Sequence, residues 1–212
     1  MRINYFVFTL VILSACAGSK NARLNMKPID IFKEIITGDF DNSKQVAAEI
    51  ESGKQVHPLA KHVNRIADGK IKNLPKNSNG FFVLEESYYT YPGKTVELKP
   101  FLFQFSAYGD KQVKLTVYQL PAGPAKASIR NDNSALSFDY NELKLSPTFK
   151  EAVYDFVNGN FVTNTAAELG NGIMFTLTET LGKEKLLVME LLEKAGKRIT
   201  PYDTPIVYDR KN

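Results

Sequence analysis

The spacing of apolar residues changes once along the chain, near residue 80. Before that point it is helical. In "PIDIFKEIITG", Ile29, Phe32, Ile35 and Ile36 share one face. Pro28 suits the first turn of such a helix and Gly38 can end it. A second helix is predicted in "DNSKQVAAEIESG", where Val46 and Ile50 recur four apart and Gly53 is the stop. Asn42 is a natural N-cap there, with Gln45 three residues on as its capping-box partner. "HPLAKHVNRIADGKIKN" reads either as a short helix or as the entry to the first strands.

From Gly80 onward the period is two. "FFVLEESYY" is rich in strand-favouring residues, and "PFLFQFSAYGDKQVKLTVYQL" predicts a hairpin turning at Tyr108–Lys111. Phe101, Phe103 and Phe105 alternate on one face, answered across the turn by Val113, Leu115 and Val117. "LSFDYNELKLS" reads as a strand and turn, and Asn158-Gly159 inside "VYDFVNGNFVTN" is a strong hairpin signal. "IMFTLTETLGKEKLLVMELLEK" reads as two strands joined near Gly182; Leu186–Glu193 is also rich in helix formers, and the preceding hairpin turn decides for strand, with "IVYDR" as a last strand. Two small helices followed by at least seven short antiparallel strands predict a mainly β fold, a barrel or a sandwich. A closed barrel solves the edge problem, and its interior holds side chains or one small ligand.

Composition sharpens this picture at the N-terminus. The chain has 212 residues and a single cysteine, Cys16. Arg2 provides a short positive start, and Tyr5–Leu13 is apolar except for Thr9. That run is too short to span a bilayer, which takes about 20 residues, and it suits a secretory signal of roughly 7–15 apolar residues. The order Leu13-Ser14-Ala15-Cys16 resembles the lipobox of bacterial lipoproteins. The resemblance implies cleavage before Cys16 and acylation of its nucleophilic thiol. Residues 1–15 are then the signal peptide, 16–27 a polar tether and 28–212 one barrel domain. The expected location is the cell envelope, on the extracytoplasmic face of a bacterial membrane, with the bilayer as a partner.

With one cysteine spent on the anchor, the mature chain has no cysteine nucleophile, thiolate zinc site or redox pair. The net charge of +4 falls by one with Arg2, and the basic residues are dispersed. No basic stripe supports nucleic-acid binding. The glycines near Gly159 and Gly170 lack the setting of a phosphate loop, and no Gly-x-Ser-x-Gly occurs. The supply of 14 Phe and 10 Tyr without Trp fits an aromatic core or pocket.

His57 and His62 are the two histidines. On a helix their spacing of five would set them roughly 140° apart, and Pro58 blocks a regular helix between them. No motif supplies further ligands. No metal and no cofactor are expected, and the histidines read as surface or capping groups. Glu85 and Glu86 point to opposite faces of their strand, so they cannot act together on one substrate. One of the two is expected to point inward or into a crevice. The functional reading places Glu86 and Tyr88 on a pocket wall, with Gln104, Arg130 and Tyr140 as further ligand-binding candidates. The structural reading has one solvated Glu and one held by a Lys or a Tyr hydroxyl.

"ITGDFDNSKQ" carries Gly38, Phe40, Asn42 and Gln45 at the spacing Gly-x-Phe-x-Asn-x-x-Gln. It resembles the opening of the CpcT/CpeT chromophore lyases, which attach linear tetrapyrroles to cysteines of phycobiliproteins. "FFVLEESYY" is similar to that family's aromatic strand with its Glu, and "KPFLFQFS" to its run after a Pro, where Gln104 stands without the family's flanking arginines. The resemblance covers about residues 30–106. It implies an antiparallel, calycin-like barrel with short N-terminal helices, a tetrapyrrole-like ligand and lyase activity. Taken together, the sequence predicts a membrane-anchored barrel that binds a small apolar or amphipathic ligand. A chromophore lyase and a ligand-free scaffold are the alternatives.

Overall fold

The structure is a computed structural model that describes residues 26–120, 126 and 128–211. The segment expected to be a signal peptide, Cys16 and almost all of the expected tether lie outside the described residues. Two helices are formed, α1 (Pro28–Ile36) and α2 (Ser43–Glu51). The strands that follow or separate them are β1 (Gly38–Asp41), β2 (Leu59–Ile66), β3 (Ile71–Lys72), β4 (Gly80–Thr90), β5 (Glu97–Tyr108) and β6 (Gln112–Tyr118). The chain continues through β7 (Phe138–Asp139), β8 (Ala152–Val157), β9 (Asn160–Glu168), β10 (Ile173–Leu181), β11 (Lys185–Lys194), β12 (Lys197–Arg198) and β13 (Ile206–Lys211). "LAKHVNRI" is therefore strand, and both halves of the Gly182 segment are strands, as the hairpin turn indicated, the helix formers of Leu186–Glu193 notwithstanding.

Ten of these strands form a closed antiparallel barrel: β1, β2, β4, β5, β6, β8, β9, β10, β11 and β13, each paired to the next in chain order. Closure comes from β13 pairing back onto β1, with Asp39 opposite Lys211, Phe40 opposite Arg210 and Asp41 opposite Asp209. The hairpin between β8 and β9 turns at Asn158 and Gly159, both with positive φ, as the two-residue turn requires.

One half of the barrel is solid. α1 plugs it with Phe32, which is fully buried and meets the rings of Phe105, Phe161 and Tyr154 at 4.7, 4.8 and 5.2 Å between centroids. A second apolar cluster lies outside the wall. Phe82, Leu84 and Leu102 face outward there and are covered by Ile129, Leu136, Phe138 and Tyr140 from the excursion between β6 and β8. This cover explains why β4 is apolar on both faces: each face packs against a different layer.

The seam between β1 and β13 is where the Gly-x-Phe-x-Asn-x-x-Gln residues sit. Phe40 is buried beneath the Arg210 guanidinium, 4.6 Å from its ring centre. Arg210 donates to the carbonyls of Thr37, Ile35 and Lys183, joining the end of α1 to the β10–β11 turn. A cation at those last carbonyls also complements the helix dipole. Asn42 stands at the N-cap position of α2, and its carbonyl accepts from Val46 N–H, but its side chain makes no cap hydrogen bond. Its Oδ1 accepts from Ala60 N–H at 2.8 Å and its Nδ2 donates to Pro58 O at 2.9 Å. Gln45 donates to Pro205 O and accepts from Val207 N–H, both at 3.0 Å. The predicted capping box is thus replaced. Asp41 Oδ1 accepts from Ser43 N–H instead, and Asn42 and Gln45 tie α2 to β2 and β13.

Gly38 has φ +140, and an added Cβ would lie 2.4 Å from Arg210 Nη1. Gly38→Ala is expected to destabilise the fold by about 2 kcal/mol or more in urea unfolding. Gly53→Ala, also at positive φ but with nothing within 4 Å of the added carbon, should cost less.

Candidate functional site

Above the Phe32 plug the barrel is hollow. Strand alternation turns Phe101, Phe103 and Phe105 of β5, Leu115 and Val117 of β6, and Phe175 and Leu177 of β10 inward around a cavity of about 110 Å³. Phe149 closes the aromatic wall, edge-on to Phe101 and Phe175 at 5.8 and 5.9 Å. Phe101, Phe103 and Phe175 point inward yet remain half-buried, so the cavity is open to solvent on this side. The exposed Lys150 also borders it.

Set into this apolar lining are His62 from β2, Glu85 from β4, Glu179 from β10 and Glu190 from β11. His62 Nδ1 lies 3.1 Å from Glu85 Oε1 and 2.8 Å from Ser87 Oγ, and the Ser87 hydroxyl donates to Glu85 at 2.6 Å. The imidazole packs on Tyr208, 4.4 Å between ring centres, with Tyr89 edge-on at 6.2 Å. Its other nitrogen, Nε2, is buried and has no partner among the described residues. Tyr154, buried beside the plug, donates to Glu179 Oε2 at 3.1 Å.

The charges follow from burial and from these pairs. Burial disfavours charge on Glu85, but the His62 charge and hydrogen bonds from His62, Ser87 and Asn64 outweigh it and hold the carboxyl below its ordinary value. Burial likewise works against charge on His62, and Glu85 outweighs it, aided by Glu190 and Glu179, so its pKa is raised. At Glu179 the Tyr154 hydrogen bond and the His62 charge are too weak to offset the opposing effects. Burial, and then the Glu85 carboxylate, push it up to about 8. Glu190 is raised by burial too, although solvent reaches it. Near neutral pH the cavity therefore holds an ion pair and a protonated carboxylic acid within an aromatic wall. Such a set can donate hydrogen bonds and exchange protons with a bound group. Among the described residues no group of His, Cys, Asp and Glu is placed to hold a metal ion.

The ligand-binding candidates chosen from sequence are gathered elsewhere, on the outer face of β4 and β5. Arg130 Nε reaches Glu86 Oε2 at 3.1 Å and stacks over Tyr88, whose hydroxyl also donates to Glu86. Asn131 N–H donates to Glu86 Oε1 at 2.6 Å. Gln104 accepts from Tyr118 at 2.8 Å, and Tyr140 meets the edge of Phe82. Glu86, Tyr88, Arg130 and Tyr140 pin the excursion to the barrel wall, Gln104 links β5 to β6, and none of the five borders the cavity. Both histidines, read from sequence as surface or capping groups, are buried. His57 is held by Glu49 and by Thr204 O, and His62 lines the cavity because its segment is strand rather than helix. The cavity acids were missed, although each alternates with apolar neighbours: Glu179 with Phe175 and Leu177, Glu190 with Leu186 and Val188.

No protein-family model matches the chain, and no curated protein matches it. Among solved structures the chain is similar to the T-type phycobiliprotein lyase CpeT from Prochlorococcus phage P-HM1. The identity is 10%, covering 87% of this chain and 98% of that chain, with a TM-score of 0.49.

The raised Glu179 carboxyl has a consequence for stability. It stays protonated in the folded state while its unfolded counterpart ionises near 4.5, so its contribution is present below about pH 4.5 and is lost progressively toward pH 8. Glu179→Gln removes that loss. Thermal unfolding of the variant should match the parent near pH 4.5 and exceed it at pH 8, by several degrees for a gain of a few kcal/mol.

Proposed function

We propose that this chain is a binding module that receives a ring-sized part of a small apolar or amphipathic molecule in the open half of its barrel. The observation that carries the reading is the cavity itself: an open, aromatic-walled hollow with buried polar groups in a barrel whose other half is filled. Its volume, about 110 Å³, lies below the roughly 300–1,000 Å³ of sites that enclose drug-sized ligands. It is nearer the roughly 150 Å³ of a cavity that admits benzene. One ring fits inside, and the remainder of a larger ligand would extend past Phe149 and Lys150.

The proposal includes delivery of the barrel to a membrane surface. The Leu13–Cys16 order supports acylation of Cys16, and two or more acyl chains give stable anchoring on the extracytoplasmic face. A ligand taken from or passed to lipid suits a module held there.

A second reading is chromophore attachment, favoured by the protonated acid in the cavity. Adding a thiol across a conjugated double bond of a tetrapyrrole requires a proton for the conjugated system, and Glu179 is held protonated beside the His62–Glu85 pair. Lys150 is the lysine available to an acidic side chain of such a ligand. Among the described residues no arginine lines the cavity, and the four motif residues Gly38, Phe40, Asn42 and Gln45 serve the seam, so the binding module is the reading adopted.

Native mass spectrometry of the full chain purified from its own host should show a co-purifying small molecule. Ala167→Phe, which fills the cavity from β9, should abolish it while leaving the circular dichroism unchanged. Repeated absence of any bound mass in the parent would remove the binding reading, and a covalently transferred tetrapyrrole would favour the second. Cys16→Ser should move the protein from the membrane pellet to the soluble fraction, and continued pelleting would remove the anchor.

A further inference from the structure

The binding reading leaves the polar end of the ligand undefined, and His62 bears on it. Its side chain is only 8% exposed, Nδ1 is fully engaged by Glu85 and Ser87, and Nε2 has no partner. A buried donor left without an acceptor costs about 1–3 kcal/mol and calls for an explanation. Because the Glu85 carboxylate takes the Nδ1 hydrogen, Nε2 carries a hydrogen whenever the imidazole is charged. The groups that face His62 are Glu85, Ser87 and Tyr89 from β4, Tyr208 from β13, Glu179 from β10 and Glu190 from β11. Taken together they favour that charged form.

The geometry points to a ligand class: a neutral, ring-sized group bearing a carbonyl oxygen, such as a ketone, lactam or quinone, accepted by His62 Nε2–H while the ring lies against Phe101, Phe103 and Phe149. This rests on the binding reading and specifies it. An anionic oxygen would meet the Glu85 carboxylate, with Glu190 close by, and is disfavoured. A cation would have to displace the proton of Glu179 and share the cavity with charged His62. A neutral carbonyl meets neither penalty, and protonated Glu179 offers it a second donor. Thr163 Oγ1, buried on the inward face of β9 opposite Glu179, is also without a partner.

Three one-ring probes separate these cases: acetophenone, ethylbenzene and benzylammonium, titrated into the full chain at pH 6 and followed by ligand-detected NMR. Acetophenone is expected to bind about tenfold tighter than ethylbenzene, as a hydrogen bond from a charged donor allows. His62→Phe should bring that ratio close to one. Since this variant leaves Glu85 buried without its partner and can fail to fold, a second measurement uses pH. In Glu179→Gln, which keeps that position neutral throughout, the acetophenone preference should still decline as pH rises and His62 loses its charge. Equal binding of acetophenone and ethylbenzene at pH 6, a pH-independent preference, or tightest binding by benzylammonium would each overturn the carbonyl assignment while leaving the cavity a binding site. Failure of all three probes to bind at millimolar concentration would remove the binding reading along with it.

Discussion

Everything in this molecule depends on closing the ring between β1 and β13. The seam has three residue pairs, against nine in the β10–β11 hairpin and ten in the β4–β5 hairpin, and it joins segments at opposite ends of the barrel's sequence. Short non-local pairing of this kind bears the loop-closure entropy of nearly the whole domain. It is reinforced from three directions. Arg210 gathers the carbonyls at the end of α1 and in the β10–β11 turn, Phe40 packs beneath it, and Asn42 and Gln45 reach from α2 to β2 and β13. Gly38 is the residue that lets Arg210 approach. Without closure, β10 and β11 would be remote from β2 and β4. With it, Glu179 and Glu190 come round to share one interior with His62 and Glu85.

The division of the barrel into a solid half and a hollow half follows from one helix. α1 is only nine residues long, and it inserts its apolar face into one end. Phe32, Ile35 and Ile36 are consumed there with Phe105, Phe161 and Tyr154, and no corresponding segment among the described residues fills the other end. The interior charges sit where the plug stops. Tyr154 belongs to both halves: its ring packs on Phe32 while its hydroxyl holds Glu179. The well-packed end thus positions the acid of the open end, and the cost of keeping Glu179 and Glu190 inside the barrel is borne by a fold whose stability is concentrated below them.

Most of the architecture was legible because it is written in periodicity. The change from period 3.6 to period two, Asn158-Gly159 and the Gly182 turn locate elements that pair as expected. What periodicity does not specify is which face of a strand becomes the interior when both faces are apolar. In β4 the odd residues Glu85 and Tyr89 face the cavity and the even residues Glu86 and Tyr88 face outward, a choice settled by the excursion that covers the even side. That excursion has little regular structure, so its packing left almost no local signal. Asn42 and Gln45 illustrate a related limit. Their spacing is that of a helix cap, yet their partners lie 16 to 162 residues away, and only tertiary closure brings them into reach.

The two polar-aromatic clusters on either side of β4 differ in a way that separates structure from function. Outside, Glu86 receives Arg130, Tyr88 and the Asn131 amide, and the group locks one layer to another. Inside, the accounting is incomplete. Among the described residues His62 has a buried nitrogen without a partner, and Glu179 is held protonated by its surroundings. A fold selected for stability alone would fill such a space with apolar side chains, since unmatched buried polar groups lower stability. Residue types therefore do not distinguish the clusters, for both combine Glu and Tyr with a cationic side chain. What distinguishes them is place: the outer group joins the excursion to the barrel wall, whereas the inner one lines a cavity open to solvent.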